Sequence, residues 1–282
     1  MTFIIKPKFP KLNRSHSISD KIVLACPMYE SDISLIHDVS GKNHDSTSID
    51  GNPTMSHSPY GQAYDGDGTG DGIGFGNHAD FTFGDGSTDV PFSIFVLFKM
   101  NSLANTPYLI AKDAAVAREW LVFLSPDGGA RTFVFTDSHN NDRIGIKSAN
   151  AGDVVTGVWY GLLLTYDGSS TFGGLTFYLN GVKLAVSDTS AGVYIATGDD
   201  GAELTIGMRG GAGYSLNGLI ANTVIWKNRE LTANEAQLLN YDPFAMYRPS
   251  EDTGWMSKAP AAASGSLLLM ERSIANYGGM RQ

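Results

Sequence analysis

Apolar and polar residues alternate along most of the chain, and glycine-containing turns separate the alternating runs. The pattern is clearest in residues 158–239, where one short helical pattern closes a series of such runs. A period of two residues is typical of a β-strand with one buried face. Short strands separated by frequent turns are typical of an antiparallel sandwich. We therefore predict an all-β fold of two antiparallel sheets.

Two strand features sharpen this prediction. Residues 92–98 are apolar on both faces, which is typical of a central strand. Asn180-Gly181 favours the type I′ turn of a β-hairpin, because both positions of that turn need positive φ. The predicted strands are residues 22–29, 63–64, 73–75, 92–100, 108–112, 120–124, 131–136, 143–147, 159–166, 175–179, 182–186, 203–207 and 218–226.

One short helix is predicted near the end of the sandwich. Thr232 precedes Glu235 by three residues, which is the spacing of a helix capping box. The helix is expected over residues 233–239, and Pro243 prevents its continuation.

The chain divides into three predicted parts. Residues 1–20 form an extended arm, because its prolines disfavour a helix. Residues 21–249 form the sandwich, and residues 250–282 form a linker followed by a docking segment. The segment is residues 267–277, whose apolar pattern is compatible with a helix. Such a segment either docks on a partner or packs back on its own domain, and the sequence leaves both interpretations open.

The order of several turn-and-strand segments resembles the laminin-G-like, concanavalin A-like lectin/glucanase superfamily. The segments are residues 63–77, 92–94, 159–168, 177–181, 204–207, 216–220 and 226–232. Residues 13–44 and 242–249 resemble the two ends of such domains in bacteriophage structural proteins. The resemblance implies a jelly-roll sandwich that serves as a sugar-binding module, an adhesion module or a virion surface protein.

Charge and apolar content exclude some partners. The net charge of −9 and the absence of a basic stripe argue against nucleic acid. No apolar stretch reaches the roughly 18 residues of a membrane span, so membrane insertion is not expected. The N-terminal residues do not have the pattern of a signal peptide, so synthesis in a host cytoplasm is expected. Cys26 is the only cysteine and is predicted to be a buried strand thiol.

The carboxylates do not form a recognisable catalytic pattern. Glycosidases of the superfamily carry paired carboxylates in an E-x-D-x-E pattern on one strand, and retaining chemistry needs the two working groups about 5 Å apart. Here Glu119, Glu203 and Glu230 are isolated along the sequence. The six histidines lack metal-binding spacing. We expect a protein that is not an enzyme, with a glycosidase of atypical carboxylates as a remote alternative.

Asp65, Asp67 and Asp71 form the best candidate metal site. They lie in a glycine-rich stretch, and Ca²⁺ prefers carboxylate and carbonyl oxygens. Aspartates next to glycines are also the usual residues of plain turns. The sequence allows both interpretations, and we expect no required cofactor.

A sugar site would need exposed aromatic rings near amides or carboxylates. Tyr194, Tyr214, Trp120 and the loop of residues 139–142 are conceivable contributors. Trp120, Trp159 and Trp226 also lie in strand patterns, which favours the core for all three.

The leading hypothesis is a non-enzymatic bacteriophage virion protein, either a capsid decoration or a tail-associated protein. It predicts location in the virion, contacts with other virion proteins and homo-oligomerisation. The alternative is a carbohydrate-binding adhesion module that recognises host or environmental glycans.

Overall fold

The computed structural model describes residues 6–114, 116–136, 142–211 and 214–247, which belong to a unit spanning Met1–Arg248. The predicted linker and docking segment, residues 250–282, therefore lie outside the described residues. The strands are β1 (Ile22–Cys26), β2 (Ser48–Asp50), β3 (Thr54–Ser58), β4 (Gly61–Asp67), β5 (Gly72–Gly74), β6 (Phe92–Ser102), β7 (Tyr108–Ala114), β8 (Ala117–Leu124), β9 (Ala130–Phe135), β10 (Arg143–Ser148), β11 (Trp159–Tyr166), β12 (Leu175–Leu179), β13 (Val182–Lys183), β14 (Val186–Asp188), β15 (Leu204–Ile206) and β16 (Asn217–Lys227). The helix α1 spans Ala233–Tyr241, and 3₁₀ turns lie at Ser17–Ser19, Ala79–Phe81, Phe172–Gly174 and Ala245–Tyr247.

These strands form two antiparallel sheets of eight strands each, which confirms the predicted jelly-roll sandwich. Sheet A has the order β13-β12-β11-β6-β16-β4-β3. Strand β16 is long enough to pair with β6 on one edge and with both β4 and β1 on the other. Sheet B has the order β14-β10-β9-β8-β7-β15-β5-β2.

The main core lies between the sheets and follows the predicted alternation. Ile94, Val96 and Phe98 of β6 face this core. Phe95 and Leu97 point the other way, into a second apolar cluster on the outer face of sheet A. Strand β6 is therefore buried on both faces, as its continuous apolar sequence predicts.

A layer of described elements covers the outer face of sheet A. Ile18, Leu239 and Phe244 reach it from the N-terminal residues, from α1 and from the segment after α1. Two buried polar side chains of this layer pair with each other and with the backbone: Asn222 Nδ2 donates to the carbonyl of Pro243, and the Tyr247 hydroxyl donates to Asn222 Oδ1. Sheet A therefore presents little of its outer face to solvent.

The N-terminal residues lie against the sandwich from Lys6 onward. Lys6 is 7% exposed. Four backbone carbonyls surround its ammonium group and share its three donors: Met28 at 2.8 Å, Ala221 at 3.0 Å, Pro27 and Gln62. The Trp226 indole donates to the Ile18 carbonyl at 2.6 Å. Residues 6–20 thus belong to the layer over sheet A, whereas residues 1–5 lie outside the described part.

Three local predictions are confirmed. Asn180 and Gly181 have φ of 49° and 76° and join β12 to β13. Thr232 and Glu235 form both bonds of the capping box at the start of α1. Cys26 is fully buried at the end of β1, and burial raises the pKa of its thiol. Within the described residues, no helix has the length and apolar character to cross a bilayer.

Candidate functional site

Five aromatic rings form a continuous row on the outer face of sheet B. They come from β7, β8, β9 and the loop before β16. Ring centroids are 5.5 Å apart for Tyr214–Tyr108, 5.2 Å for Tyr108–Phe123, 5.6 Å for Phe123–Phe133 and 6.0 Å for Phe133–Phe135. These separations are those of favourable aromatic pairs. We call these five residues the aromatic row.

The alternation of side chains along the strands and a glycine on the neighbouring strand determine the position of the aromatic row. On β8, Trp120 and Val122 face the core, so Leu121 and Phe123 face outward. On β10, a Cβ added at Gly145 would lie 2.4 Å from the ring of Phe133. The Phe133 ring therefore occupies the space that any larger residue at position 145 would need.

Three arginines lie over rings of the row. The guanidinium carbon lies 4.0 Å from the Phe135 ring centroid for Arg118, 4.5 Å from that of Phe133 for Arg143, and 6.0 Å from that of Tyr214 for Arg209. Each contact has cation–π geometry, worth about 0.5–1 kcal/mol at an exposed site. Burial, together with the nearby Arg118, lowers the pKa of Arg143. Both effects disfavour the positive charge of Arg143.

Asp113 orients two of these arginines. Its side chain is fully buried, with Oδ1 3.0 Å from Arg118 Nε and Oδ2 2.7 Å from Arg209 Nε. Burial raises the pKa of Asp113, and the two guanidinium groups oppose that rise. We call the aromatic row, the three arginines and Asp113 the arginine–aromatic face.

Exposed apolar side chains surround one end of this face. Val116 is 82% exposed at the β7–β8 turn, and Val193 and Ile195 are 74% and 58% exposed in the loop after β14. That loop is tied to the β9–β10 end, because the Val193 amide donates to Asp142 Oδ1 and the Ile195 amide to Thr136 Oγ1. A rim of exposed apolar residues beside a polar site is typical of a contact surface.

The structure separates the sugar-site candidates named from the sequence. Tyr214 is 41% exposed and belongs to the aromatic row. Trp120 is 1% exposed in the core, and its indole donates to the Phe81 carbonyl. The Tyr194 hydroxyl donates to the buried carboxylate of Asp89 at 2.7 Å. In the predicted 139–142 loop, only Asp142 lies among the described residues, at the edge of the face.

The three tryptophans predicted to lie in the core are buried to different degrees. Trp120 and Trp226 are fully buried, one between the sheets and the other in the layer over sheet A. Trp159 is half-buried at the edge of that layer, where its ring meets Tyr60 at 5.2 Å.

The aspartates of the candidate calcium site accept hydrogen bonds from different donors. Asp65 accepts a hydrogen bond from the Ser56 hydroxyl at 2.6 Å. Asp71 is 2% exposed, and its two oxygens accept from the backbone amides of Asn52 at 2.8 Å and Asp67 at 2.9 Å. Across the described ranges, no group of three or more His, Cys, Asp or Glu side chains is arranged to hold a metal ion. Calcium binding here stays a prediction, and the observed bonds favour the turn interpretation.

Asp71→Ala is expected to lower the free energy of unfolding by about 2 kcal/mol, because it removes the buried carboxylate that accepts from the backbone amides of Asn52 and Asp67. Urea unfolding measures this loss. The matched control is Asp67→Ala at an exposed side chain, with an expected loss of at most about 1 kcal/mol. Adding CaCl₂ should leave the melting temperature of the wild type unchanged. A calcium-dependent rise that Asp71→Ala abolishes would instead establish the metal site.

The three glutamates that are isolated in the sequence have different hydrogen-bond partners and surroundings in the structure. Glu119 is fully buried beside Lys112 and Thr82. Glu203 Oε1 accepts from the Gly76 amide at 3.2 Å. Glu230 is exposed. Each carboxylate has its own surroundings, and none of the three lies on the arginine–aromatic face.

Comparison with known proteins identifies the type of domain. The laminin-G family model described as the concanavalin A-like lectin/glucanases superfamily matches residues 67–237, more than half of the 282 residues. At the level of sequence, no curated protein matches the chain.

Solved structures of binding domains share this fold. The binding domain of Paraclostridial Mosquitocidal Protein 1 superposes with a TM-score of 0.63 at 16% identity, over 81% of this chain and 54% of that one. The binding domain of botulinum neurotoxin DC, solved with rat synaptotagmin II, gives 0.57 at 15% identity, over 80% and 52%. The chain thus spans about half the length of these two domains.

A third similar structure matches over nearly its whole length. Domain 4 of AbnA, an extracellular arabinanase from Geobacillus stearothermophilus, was solved in complex with arabinotriose. It superposes with a TM-score of 0.55 at 20% identity, over 78% of this chain and 98% of that one. At these identities the three similarities establish the fold alone.

Proposed function

Because the chain belongs to the concanavalin A-like lectin/glucanase superfamily, we propose that it is a carbohydrate-binding module that recognises glycans through the arginine–aromatic face. The observation that carries the proposal is the aromatic row with three arginines over it, on the sheet face that no described helix covers. This was the alternative hypothesis from the sequence, and the binding domains named above support it over a virion role.

The chemistry of the face suits a saccharide. A sugar ring has apolar C–H faces that pack on exposed aromatic rings and hydroxyl groups that need hydrogen-bond partners. Tyr214, at 41% exposure, and the half-buried Phe133 are the rings of the row that a sugar can reach. The other three rings are buried in the cluster beside them. Arg118, Arg143 and Arg209 supply planar donors suited to hydroxyl and carboxylate oxygens. Asp113 fixes the direction of two of these guanidinium groups before a ligand arrives, which reduces the entropy cost of binding.

We further propose that the module binds without cleaving its ligand. Asp113 is the carboxylate at the centre of the face, and it is fully buried and held by two arginines. A glycosidase needs two carboxyl groups on opposite sides of the scissile bond. Release of reducing sugar by the purified protein would contradict this part of the proposal.

The virion location, virion-protein partners and homo-oligomer expected from the sequence stay predictions. The docking segment on which the anchoring hypothesis rests, residues 267–277, lies outside the described residues.

Tyr214→Ala is expected to weaken glycan binding by about 1–2 kcal/mol, or roughly tenfold, because the ring is the exposed end of the aromatic row. Arg143→Gln should weaken it by a similar amount through the lost guanidinium donors. A glycan array identifies the ligand, and calorimetry with the strongest hit measures the loss.

Tyr241→Ala is the matched control, since Tyr241 is 61% exposed on α1, away from sheet B. It should bind as the wild type does. Equal binding by all variants would place the glycan site elsewhere. Binding only to a protein receptor, with no glycan hit, would replace the carbohydrate proposal with protein adhesion.

A further inference from the structure

A cavity of about 470 Å³ opens on the side of sheet A, where β1 begins and β16 ends. Four cationic side chains from four segments of the chain line it, and we call it the basic cleft: Arg14, Lys21, Lys42 and Lys227. Two carboxylates also line it, Asp20 and Asp80. The chain carries a net charge of −9, so this excess of positive charge is local.

Neutral partners hold two of the cations in place. Arg14 Nη2 donates to the Ser40 carbonyl at 3.0 Å. Lys227 Nζ donates to the Ala79 carbonyl at 2.7 Å. A carbonyl satisfies one donor but brings no negative charge, so both side chains are held in place without an ion pair among the described residues.

The carboxylate of Asp80 is already shared. Its Oδ2 lies 3.0 Å from His44 Nε2 and 3.5 Å from Lys42 Nζ. Among the described residues, no carboxylate lies within ion-pair distance of Lys21, which is exposed at the mouth of the cleft. The cleft therefore keeps a net positive charge after its own carboxylates are counted.

A buried hydroxyl supplies an independent observation. Ser19 lines the cavity, is only 7% exposed, and its Oγ has no hydrogen-bond partner among the described residues. A buried polar group without a partner costs about 1–3 kcal/mol. Because Ser19 lies in the wall of the cleft, rotation of its side chain towards a bound oxygen would remove that cost.

We propose that the basic cleft binds a tetrahedral oxyanion, a phosphate or sulfate group, either free or as an ester on a saccharide. Guanidinium and ammonium groups are the side chains that recognise such anions, and each oxygen of the anion can accept from a different donor. The four cations and the Ser19 hydroxyl supply these donors from several directions. The site is separate from the arginine–aromatic face and does not depend on the proposed function of that face.

The test titrates the full chain with inorganic phosphate, inorganic sulfate, glucose 6-phosphate and glucose at constant ionic strength. Binding is measured by calorimetry and by the change in melting temperature. The wild type should bind the three anions saturably below about 10 mM and should not bind glucose. Lys21→Gln and Lys42→Gln together should weaken binding by at least roughly tenfold. These substitutions should leave stability unchanged, because Lys21 and Lys42 are exposed.

Lys183→Gln is the control, since it removes one exposed charge from β13 at the far edge of sheet A. It should bind the anions as the wild type does. Saturable binding of glucose 6-phosphate alone would assign the ester as the ligand. No saturable binding by the wild type, or an equal loss in Lys183→Gln, would overturn the site. Glycan binding through Tyr214 should be unaffected in every case, so the two proposals fail separately.

Discussion

Lys112→Met is expected to lower the free energy of unfolding by about 3–5 kcal/mol near pH 7, measured by urea unfolding. Lys112 is fully buried on β7, and its ammonium group contacts Glu119 Oε1 and, at 2.8 Å, Asn77 Oδ1. Methionine keeps the length of the side chain but not its charge. The substitution would leave the fully buried carboxyl group of Glu119 without its cation. Glu119 must then either carry an uncompensated charge or take up a proton and lose its bond to the ammonium group, and both cost stability.

The size of this loss is expected to depend on pH. Burial raises the pKa of Glu119 from 4.5 to about 7, even with Lys112 beside it. Since the folded state then binds more protons than the unfolded state, wild-type stability falls as pH rises from about 4.5 to 7. Without Lys112 the pKa of Glu119 rises further, so stability of the variant keeps falling above pH 7. The difference between variant and wild type should therefore grow as pH rises past 7.

Two further variants test this explanation. Lys112→Met with Glu119→Leu should recover most of the lost stability, because neither charge is then left buried alone. Lys147→Met is the control, since Lys147 and Asp127 form a pair whose side chains are 25% and 37% exposed. It should cost at most about 1 kcal/mol. An equal cost for Lys112→Met and Lys147→Met would contradict the buried-pair argument.

Where apolar and polar residues follow a clear strand pattern, the predicted strands agree closely with the structure. Where that pattern is weak, strands at the edges of the sheets were missed. Strands β11 and β12 match their predicted residues, 159–166 and 175–179. Strands β2 and β3 were missed because they are short, and no residue of either is fully buried. The first strand ends at Cys26 rather than at residue 29, since Pro27 follows and Met28 has a positive φ of 48°.

The role of residues 6–20 depends on contacts that no local pattern reveals. Lys6 looks like a solvated residue in a proline-containing arm. In the fold, carbonyl groups from three distant parts of the chain converge on its ammonium group. Only the pairing of β1 and β4 along one edge of β16 brings those parts together.

Apart from Tyr214, the arginine–aromatic face was missed because its rings look like core residues in the sequence. Tyr108 and Phe123 lie in apolar runs, and a bulge in β7 between Tyr108 and Ile110 shifts the alternation. The sequence did carry a usable signal at the β7–β8 hairpin. Lys112-Asp113 before the turn and Arg118-Glu119 after it have mirrored charges, which predicts one ion pair on each face of the sheet.

Asp113→Asn is expected to lower the free energy of unfolding by about 3 kcal/mol and to abolish glycan binding. The amide keeps the shape of the carboxylate but removes the charge that Arg118 and Arg209 share. These arginine side chains are only 19% and 15% exposed, so solvent compensates them poorly. Chemical unfolding measures the first effect, and calorimetry with the array-selected glycan measures the second.

Asp127→Asn is the control for the arginine–aromatic face, because Asp127 also pairs with a cation but is partly exposed. It should cost at most about 1 kcal/mol and leave binding unchanged. Acid should reproduce the Asp113 effect in the wild type: burial raises the pKa of Asp113, so it loses its charge at a higher pH than an ordinary aspartate. Binding by the wild type should accordingly weaken as pH falls, whereas Asp113→Asn shows no binding to lose. Full glycan affinity in Asp113→Asn would mean that the two arginines need no shared carboxylate for binding, and it would contradict the orienting role given to Asp113.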